Sequence, residues 1–485
     1  MYRNGSYAGW VSRRLLILWV LFLARGTFYC AMLPLWEGWD EYAHFAVLDH
    51  WVYQGTMPRL EDAVPREIDE SMRLTPLAEE LKWIGPPYQT HEQWWALPER
   101  ERDERVRQLA ALLPAWAHER ASHYFVSYEA QQPPLYYWLL AVPLKLAAQW
   151  PLRARVLLMR LLSMLIASTA IPLTWQAARV LLDNRAATYC AALLAVAPGF
   201  AIDTARVAND CVAIACTALF FWLLVRPKTN GIAMGATLGA ALLAKAYLLA
   251  LVPALVILWF PKKKRTLAAA LAAALALAGW WYARNLLIGY SLSGWSDRAG
   301  LGHALRGIVH INWLSAIDVT AKSFIWFGAW SFLTLKSWMY RVIEMVAGVG
   351  LFEAVRRRRA NLRIPFAAAG CYLLGMGYAV LVLFAVHGTQ NAQGWYMWPI
   401  AGMLAVIVVA GLRSASVVLV SLLAVLDLYG AMARLAPYYA GFVARDHGSA
   451  AQFPAALMQL GVPMPLAAMW IAATVAIPLV CAARR

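Results

Sequence analysis

The chain has 485 residues, 61% of them hydrophobic and only 14% charged. A soluble domain carries about 25% charged residues, so the composition excludes a soluble enzyme and defines a multi-pass membrane protein. The net charge of +16 does not point to nucleic acid, because the basic residues sit in short stretches between apolar runs, the pattern of the positive-inside rule.

In chain order, residues 12–32 form a first span. Arg13 and Arg14 place the N-terminus in the cytoplasm, and no small-residue cleavage site follows, so the span is read as uncleaved. Residues 33–133 form a long polar loop outside the cytoplasm, in which 61–80 and 99–118 have the charge and apolar patterning of juxtamembrane helices. Apolar runs follow near 134–150, 156–181, 187–201, 210–225, 231–246, 247–260, 266–287, 339–355, 364–386, 396–412, 414–435 and 463–481. The fold class is therefore all-α, polytopic, with about 12–13 hydrophobic helices at ~20 residues per crossing. Arg226 and Lys228, the run Lys262, Lys263, Lys264 and Arg265, the run Arg356, Arg357, Arg358 and Arg359, then Arg413, Arg484 and Arg485 mark cytoplasmic turns. The count closes, with both termini cytoplasmic, only if 134–150 is a short or re-entrant helix. Residues 1–338 read as a catalytic transmembrane module, with loops 33–133 and 288–338 outside, and residues 339–485 as a second bundle on the side of a lipid tail or acceptor. The six cysteines have neither metal-ligand nor disulfide spacing.

Polar residues on the outer side of this topology carry the candidate chemistry. In Trp36-Glu37-Gly38-Trp39-Asp40-Glu41-Tyr42-Ala43-His44 two acids adjoin a membrane boundary. Carboxylates so placed serve as a general base or hold a divalent cation; the plainer reading makes Asp40 an N-cap and His44 a structural hydrogen-bond donor. Glu129, Gln131 and Gln132 precede Pro133-Pro134, either as a sugar-binding edge or as part of a helix start. Arg206, Asn209 and Asp210 form a polar turn between two apolar runs, readable as a substrate site or as a helical ion pair. Lys245 lies in an apolar stretch and Arg284-Asn285 ends an aromatic belt. Both cations suit a phosphate, and both also fit interfacial anchoring. Gln393 and Tyr396 stand in an amide-rich turn before another run.

Taken in order, Asp40-Glu41-x-x-His44, Gln132-Pro133-Pro134-Leu135-Tyr136-Tyr137, Asn209-Asp210, Arg284-Asn285 with Gly289-Tyr290, and Gln393-Gly394-Trp395-Tyr396 resemble the GT-C superfamily of membrane glycosyltransferases. That class includes the dolichyl-phosphate-mannose protein mannosyltransferases and the aminoarabinose transferases acting on lipid A. The resemblance implies Asp40 as catalytic base with Glu41 as helper, and Asp210 as a second acid. It also implies a metal site at Asp40 and Asp210 for a divalent cation such as Mg or Mn. Two positions depart from the pattern: Gln131-Gln132 stand where relatives often carry His or a charged pair, and Trp395 where they often carry Arg. That loss shifts donor-phosphate binding to Lys245 and Arg284.

The expected protein is an inverting glycosyltransferase of a bacterial inner membrane. It would move a sugar from a polyprenyl-phosphate donor to a hydroxyl of a glycan, lipid or protein acceptor at the extracytoplasmic face, with the bilayer as its other partner and no nucleic acid. A flippase for a lipid-linked saccharide and a non-catalytic lipid-sugar binder of the same fold are the alternatives.

Overall fold

The computed structural model describes residues 12–112, 114, 125–294 and 299–483. The chain opens with α1 (Arg13–Met32), capped by Ser12, and enters the polar loop through α2 (Glu41–Gln54). The loop continues as α3 (Arg66–Arg73), α4 (His91–Ala96) and α5 (Glu99–Ala110). The sheet among the described residues is one parallel pair of two-residue strands, β1 (Pro76–Leu77) and β2 (Gln89–Thr90). Of the expected juxtamembrane helix 99–118, the part beyond 114 lies outside the described residues.

Proline starts α6 (Leu135–Leu146), which ends at a turn leading into α7 (Leu152–Ser168). Arg155, in the first turn of α7, pairs with Glu67 of α3 and lies 3.7 Å from Asp49 of α2. Further along α7, Arg160 grips Glu41. α6 is one of the shorter apolar helices, and the first turns of α7 that follow it are held against the same polar loop.

The apolar runs then appear close to their expected limits. α8 (Ala170–Leu181) leads to α9 (Asn184–Val196) and α10 (Pro198–Thr204), a pair bent by 57° at Ala197-Pro198, where a proline cannot continue the preceding ladder. α11 (Asp210–Val225) and α12 (Gly231–Ala244) follow, and the backbone opens at Lys245 before α13 (Leu251–Trp259) and α14 (Lys264–Leu287). The stretch 288–338, read as a loop, contains α15 (Leu301–His310) and α16 (Trp313–Ile325). Both are amphipathic and too short to stand out as spans.

The C-terminal part comprises α17 (Ser337–Arg356), α18 (Arg363–His387), α19 (Ala401–Leu412) and α20 (Ser416–Tyr429). α20 runs through a π-helical turn into α21 (Ala436–Tyr439), and α22 (Phe453–Gln459) and α23 (Met464–Ala482) complete the chain. Among the described residues six helical stretches are long and apolar enough to cross a membrane, or seven with the bent pair counted as one, besides four shorter apolar helices. The protein is an integral membrane protein of all-α type.

The C-terminal helices share their core with the N-terminal ones. Arg25 of α1 forms a buried pair with Asp427 of α20 at 2.9 Å. Asp427 also accepts from Tyr29 of α1 and from Trp470 and Thr474 of α23. Arg14 near the start of α1 donates to the Ala483 carbonyl, so the two described chain ends meet at one end of the bundle. The polar residues of interest lie beyond the opposite end of α1, about 30 Å away for a 20-residue helix.

Candidate active site

The site is assembled where the turn after α1 meets the start of α6 and the break before α11. Within that turn Trp36 and Asp40 both have left-handed backbone, with φ of 66° and 55°. Strain of this kind concentrates at functional positions. Gly38 lets the turn lie on Arg206, since a Cβ there would stand 2.5 Å from the Arg206 Cβ. The turn is braced by Glu37, which accepts from His91 at 2.8 Å, Ser331 Oγ at 2.6 Å and Tyr439 at 3.0 Å. The sequence reading assigned Glu37 no role, because its partners are scattered across the chain.

Asp40 occupies the N-cap position of α2, yet its side chain makes no capping hydrogen bond. Instead Tyr128 Oη donates to Asp40 Oδ1 at 2.5 Å. The carboxylate is half-buried. Burial pushes its pKa up, against the Tyr128 hydrogen bond and the charges of Arg206 and Lys245. Glu129, in the same turn as Tyr128, is pushed up to about 8 by burial and by the neighbouring Asp40 charge. Buried His44 lies 2.9 Å from Tyr137 Oη through Nδ1 and 3.7 Å from Glu129 through Nε2. Burial, then the charge of Lys245, holds the imidazole well below its ordinary pKa and neutral.

Glu41, expected as a helper to Asp40, is committed elsewhere. Arg160 donates to both its oxygens, at 2.7 and 2.5 Å, and the Val207 N–H donates at 3.0 Å. Arg160 also donates to the carbonyls of Cys30, Leu33 and Pro34. Glu41 is thus the anchor that ties the turn to α7 and to the 207 backbone.

The second acid sits among cations. Arg206 donates to Asp203 at 2.8 Å, to Asp210 at 3.0 Å and to the Trp39 carbonyl at 2.7 Å. The ion pair foreseen as the plainer reading is therefore present, but across the non-helical break between α10 and α11, and Arg206 also holds the Asp40 turn. Lys245 does not snorkel. Its Nζ is buried, 2.5 Å from Asn209 Oδ1 and 3.1 Å from Asp210 Oδ2. Asn209 donates to Gln132 Oε1 at 3.2 Å. Tyr247 donates to Asp210 Oδ1 at 2.8 Å and its ring lies 5.8 Å from Tyr396. Trp395 packs 4.3 Å from Trp39, so the residue standing in place of a basic one is part of the aromatic wall behind Asp40. Gln393 begins the turn that carries both, half-buried.

Arg284 joins at the edge. It stacks 4.8 Å from Trp281 and donates to Asn285 Oδ1 at 3.3 Å, and no carboxylate among the described residues pairs with it. Gly294, at φ +84°, brings this corner against the Gln131 carbonyl, where a Cβ would stand 2.7 Å away. The candidate residues thus link through the turn 128–132. Tyr128, Tyr137 and Tyr247, which set the hydrogen bonds, had no individual role in the sequence reading.

Of the two carboxylates expected to hold a divalent cation, Asp40 and Asp210, the second is already engaged. Asp210 already holds two cationic side chains and a phenol. Among the described residues no three His, Cys, Asp or Glu converge as ligands, so a divalent cation here would draw most of its oxygens from water and a substrate phosphate.

Fold and site define a polytopic all-α membrane protein with acids, cations and phenols gathered at one end of its bundle. Residues 131–282 match the family described as dolichyl-phosphate-mannose-protein mannosyltransferase, a stretch that holds Gln132, Asn209, Asp210 and Lys245 and leaves Asp40 and Arg284 outside. No curated protein matches the chain in sequence. Among solved structures, ArnT from Cupriavidus metallidurans bound to undecaprenyl phosphate is similar at TM-score 0.50 and 14% identity, over 97% of this chain and 77% of that one. Its apo state gives 0.49 and 15%, over 96% and 76%. The oligosaccharyltransferase AglB from Archaeoglobus fulgidus, in complex with an inhibitory peptide and a dolichol-phosphate, gives 0.40 and 12%, over 96% and 56%. The likeness to ArnT is one of fold, and it extends along nearly the whole chain.

Proposed function

We propose that the protein is an inverting glycosyltransferase that moves a sugar from a polyprenyl-phosphate donor to an acceptor hydroxyl, with Asp40 as general base. The observation that carries this reading is Asp40 itself: a carboxylate at a cap position that caps nothing, held by one phenol, with its pKa raised by burial. General bases work best when their pKa lies near the working pH. The family match over 131–282 and the fold shared with an undecaprenyl-phosphate-bound protein support a lipid-phosphate donor.

In this mechanism Asp40 takes the acceptor proton as that oxygen attacks the anomeric carbon. The bond from that carbon to the phosphate oxygen breaks, and the lipid phosphate leaves with the electron pair. Lys245 and Arg284 stabilise it, and preorganised charge of this kind is often the largest catalytic term. Glu129, protonated below about 8, hydrogen-bonds sugar hydroxyls together with Gln131 and Gln132. Asn209 and Asp210 orient Lys245. The basic turns and the meeting of the chain ends support termini on the cytoplasmic side and a site on the extracytoplasmic one.

Purified protein in proteoliposomes with a short-chain polyprenyl-phosphate sugar tests the reading. Release of polyprenyl phosphate with a product of inverted anomeric configuration is expected. Lipid translocation without bond cleavage would establish a flippase instead, and donor binding without turnover across acceptors would establish a non-catalytic binder.

A further inference from the structure

At the other end of the bundle, the junction of α17 and α18 gathers arginines. Arg356 and Arg357 both pair with Glu353, each at 2.9 Å. Arg358, Arg359 and Arg363 have no carboxylate within ion-pair distance among the described residues. These three line one cavity of about 410 Å³, together with Ala354, Val355 and Phe366. The cavity therefore has a lining that is half guanidinium and half apolar. Arg358 stands just past the end of α17 with φ +43°, a left-handed position that usually takes glycine. A long cationic side chain is kept there against the backbone preference.

The surroundings are those of a lipid-facing surface. Val349, Phe352 and Val355 are exposed along α17, Phe352 by 65%. They form an apolar stripe leading away from the cavity towards the far end of the helix. The cavity lies about 30 Å from the Asp40 region along the 20-residue α17, so it is separate from the proposed active site.

We propose that this cavity binds the phosphate headgroup of an anionic bilayer phospholipid, whose acyl chains run down the exposed face of α17. Three unpaired guanidiniums in one cavity repel each other until an anion neutralises them, and the guanidinium fork matches phosphate oxygens in pairs. Basic pockets between membrane helices recognise lipid headgroups on these terms. The apolar lining residues and the exposed stripe favour a lipid over free phosphate, which would leave both uncovered.

Native mass spectrometry of delipidated protein, titrated with phosphatidylglycerol and phosphatidylcholine, tests the site. The wild type should prefer phosphatidylglycerol. The triple variant R358Q/R359Q/R363Q should weaken that binding by about tenfold or more, the scale of one lost charge-assisted hydrogen bond. The variant K262Q/K263Q/K264Q removes the same charge from another basic turn and should leave it intact. Equal losses in the two variants would mean diffuse charge attraction, and equal binding of the two lipids by the wild type would mean no headgroup recognition; either result overturns the proposal. So would displacement of phosphatidylglycerol by inorganic phosphate, which would make the ligand a soluble anion. The single variant R359Q, with gel filtration and melting temperature matched to wild type, provides the same reading if the triple variant misfolds.

Discussion

Replacing Tyr128 by phenylalanine isolates the tuning of Asp40. The phenol donates to Asp40 Oδ1 at 2.5 Å, and its own pKa is held well above the ordinary value by burial and by the Asp40 charge. It is therefore a neutral donor throughout the working range. A hydrogen bond to a charged group contributes about 1.5–3 kcal/mol, and one pKa unit corresponds to about 1.36 kcal/mol. Losing the bond removes stabilisation from the ionised form only, so the Asp40 pKa should rise by roughly 1–2 units. The base acts deprotonated, so activity falls as pH drops through that pKa. The acid limb of kcat/KM for sugar transfer should therefore move to higher pH by the same amount, read from initial rates between about pH 5 and pH 9. Tyr128→Phe keeps the ring and its packing, so the protein should still fold. An acid limb that stays in place or moves to lower pH would refute the assignment of this limb to Asp40.

Other consequences of the same geometry are independent of that limb. Glu41→Ala leaves the buried Arg160 guanidinium without its carboxylate and should cost about 3–5 kcal/mol of stability, read as a lowered melting temperature; an unchanged one would contradict the anchoring role. Glu129 has a folded-state pKa of about 8, above the ordinary 4.5. The native state therefore holds this proton more tightly than the unfolded chain, and the stabilisation, full below the unfolded pKa, is lost as pH rises through about 8. Melting temperature should fall more steeply over that range in wild type than in Glu129→Gln, and parallel curves would contradict the shift. Gly38→Ala places a Cβ 2.5 Å from the Arg206 Cβ, so it should push the Asp40 turn off Arg206 and lower transfer together with thermal stability. Chelation with EDTA should leave transfer intact, because Asp210 is already occupied by Arg206 and Lys245; an activity lost to EDTA and restored by Mg would contradict this.

The spans were legible because hydropathy and basic punctuation are properties of contiguous stretches. α14, α17, α18 and α23 fall within a few residues of their apolar runs. The short α6 was legible as an apolar run of less than spanning length. α15 and α16 were not, since short amphipathic helices have neither the length nor the uniform apolarity of a span. Within the site, residue types and order pointed to Asp40, Lys245 and Arg284, but not to who holds whom. Glu41 and Arg160 are 119 positions apart, and Glu37 and Tyr439 are 402 apart. No local pattern reports such pairings, so Glu41 read as a helper to Asp40 until its oxygens were seen to be taken. The plainer reading of Asp40 as a cap followed a local rule, whereas its actual partner, Tyr128, lies 88 positions away.

The most direct test of the account is sugar transfer by Asp40→Asn protein, measured beside binding of the polyprenyl-phosphate donor. Asparagine keeps the size of the side chain and removes the base. The account predicts that kcat falls by about 10²–10⁴-fold, the usual contribution of a general base, while donor binding is retained. Transfer at the wild-type rate would contradict it.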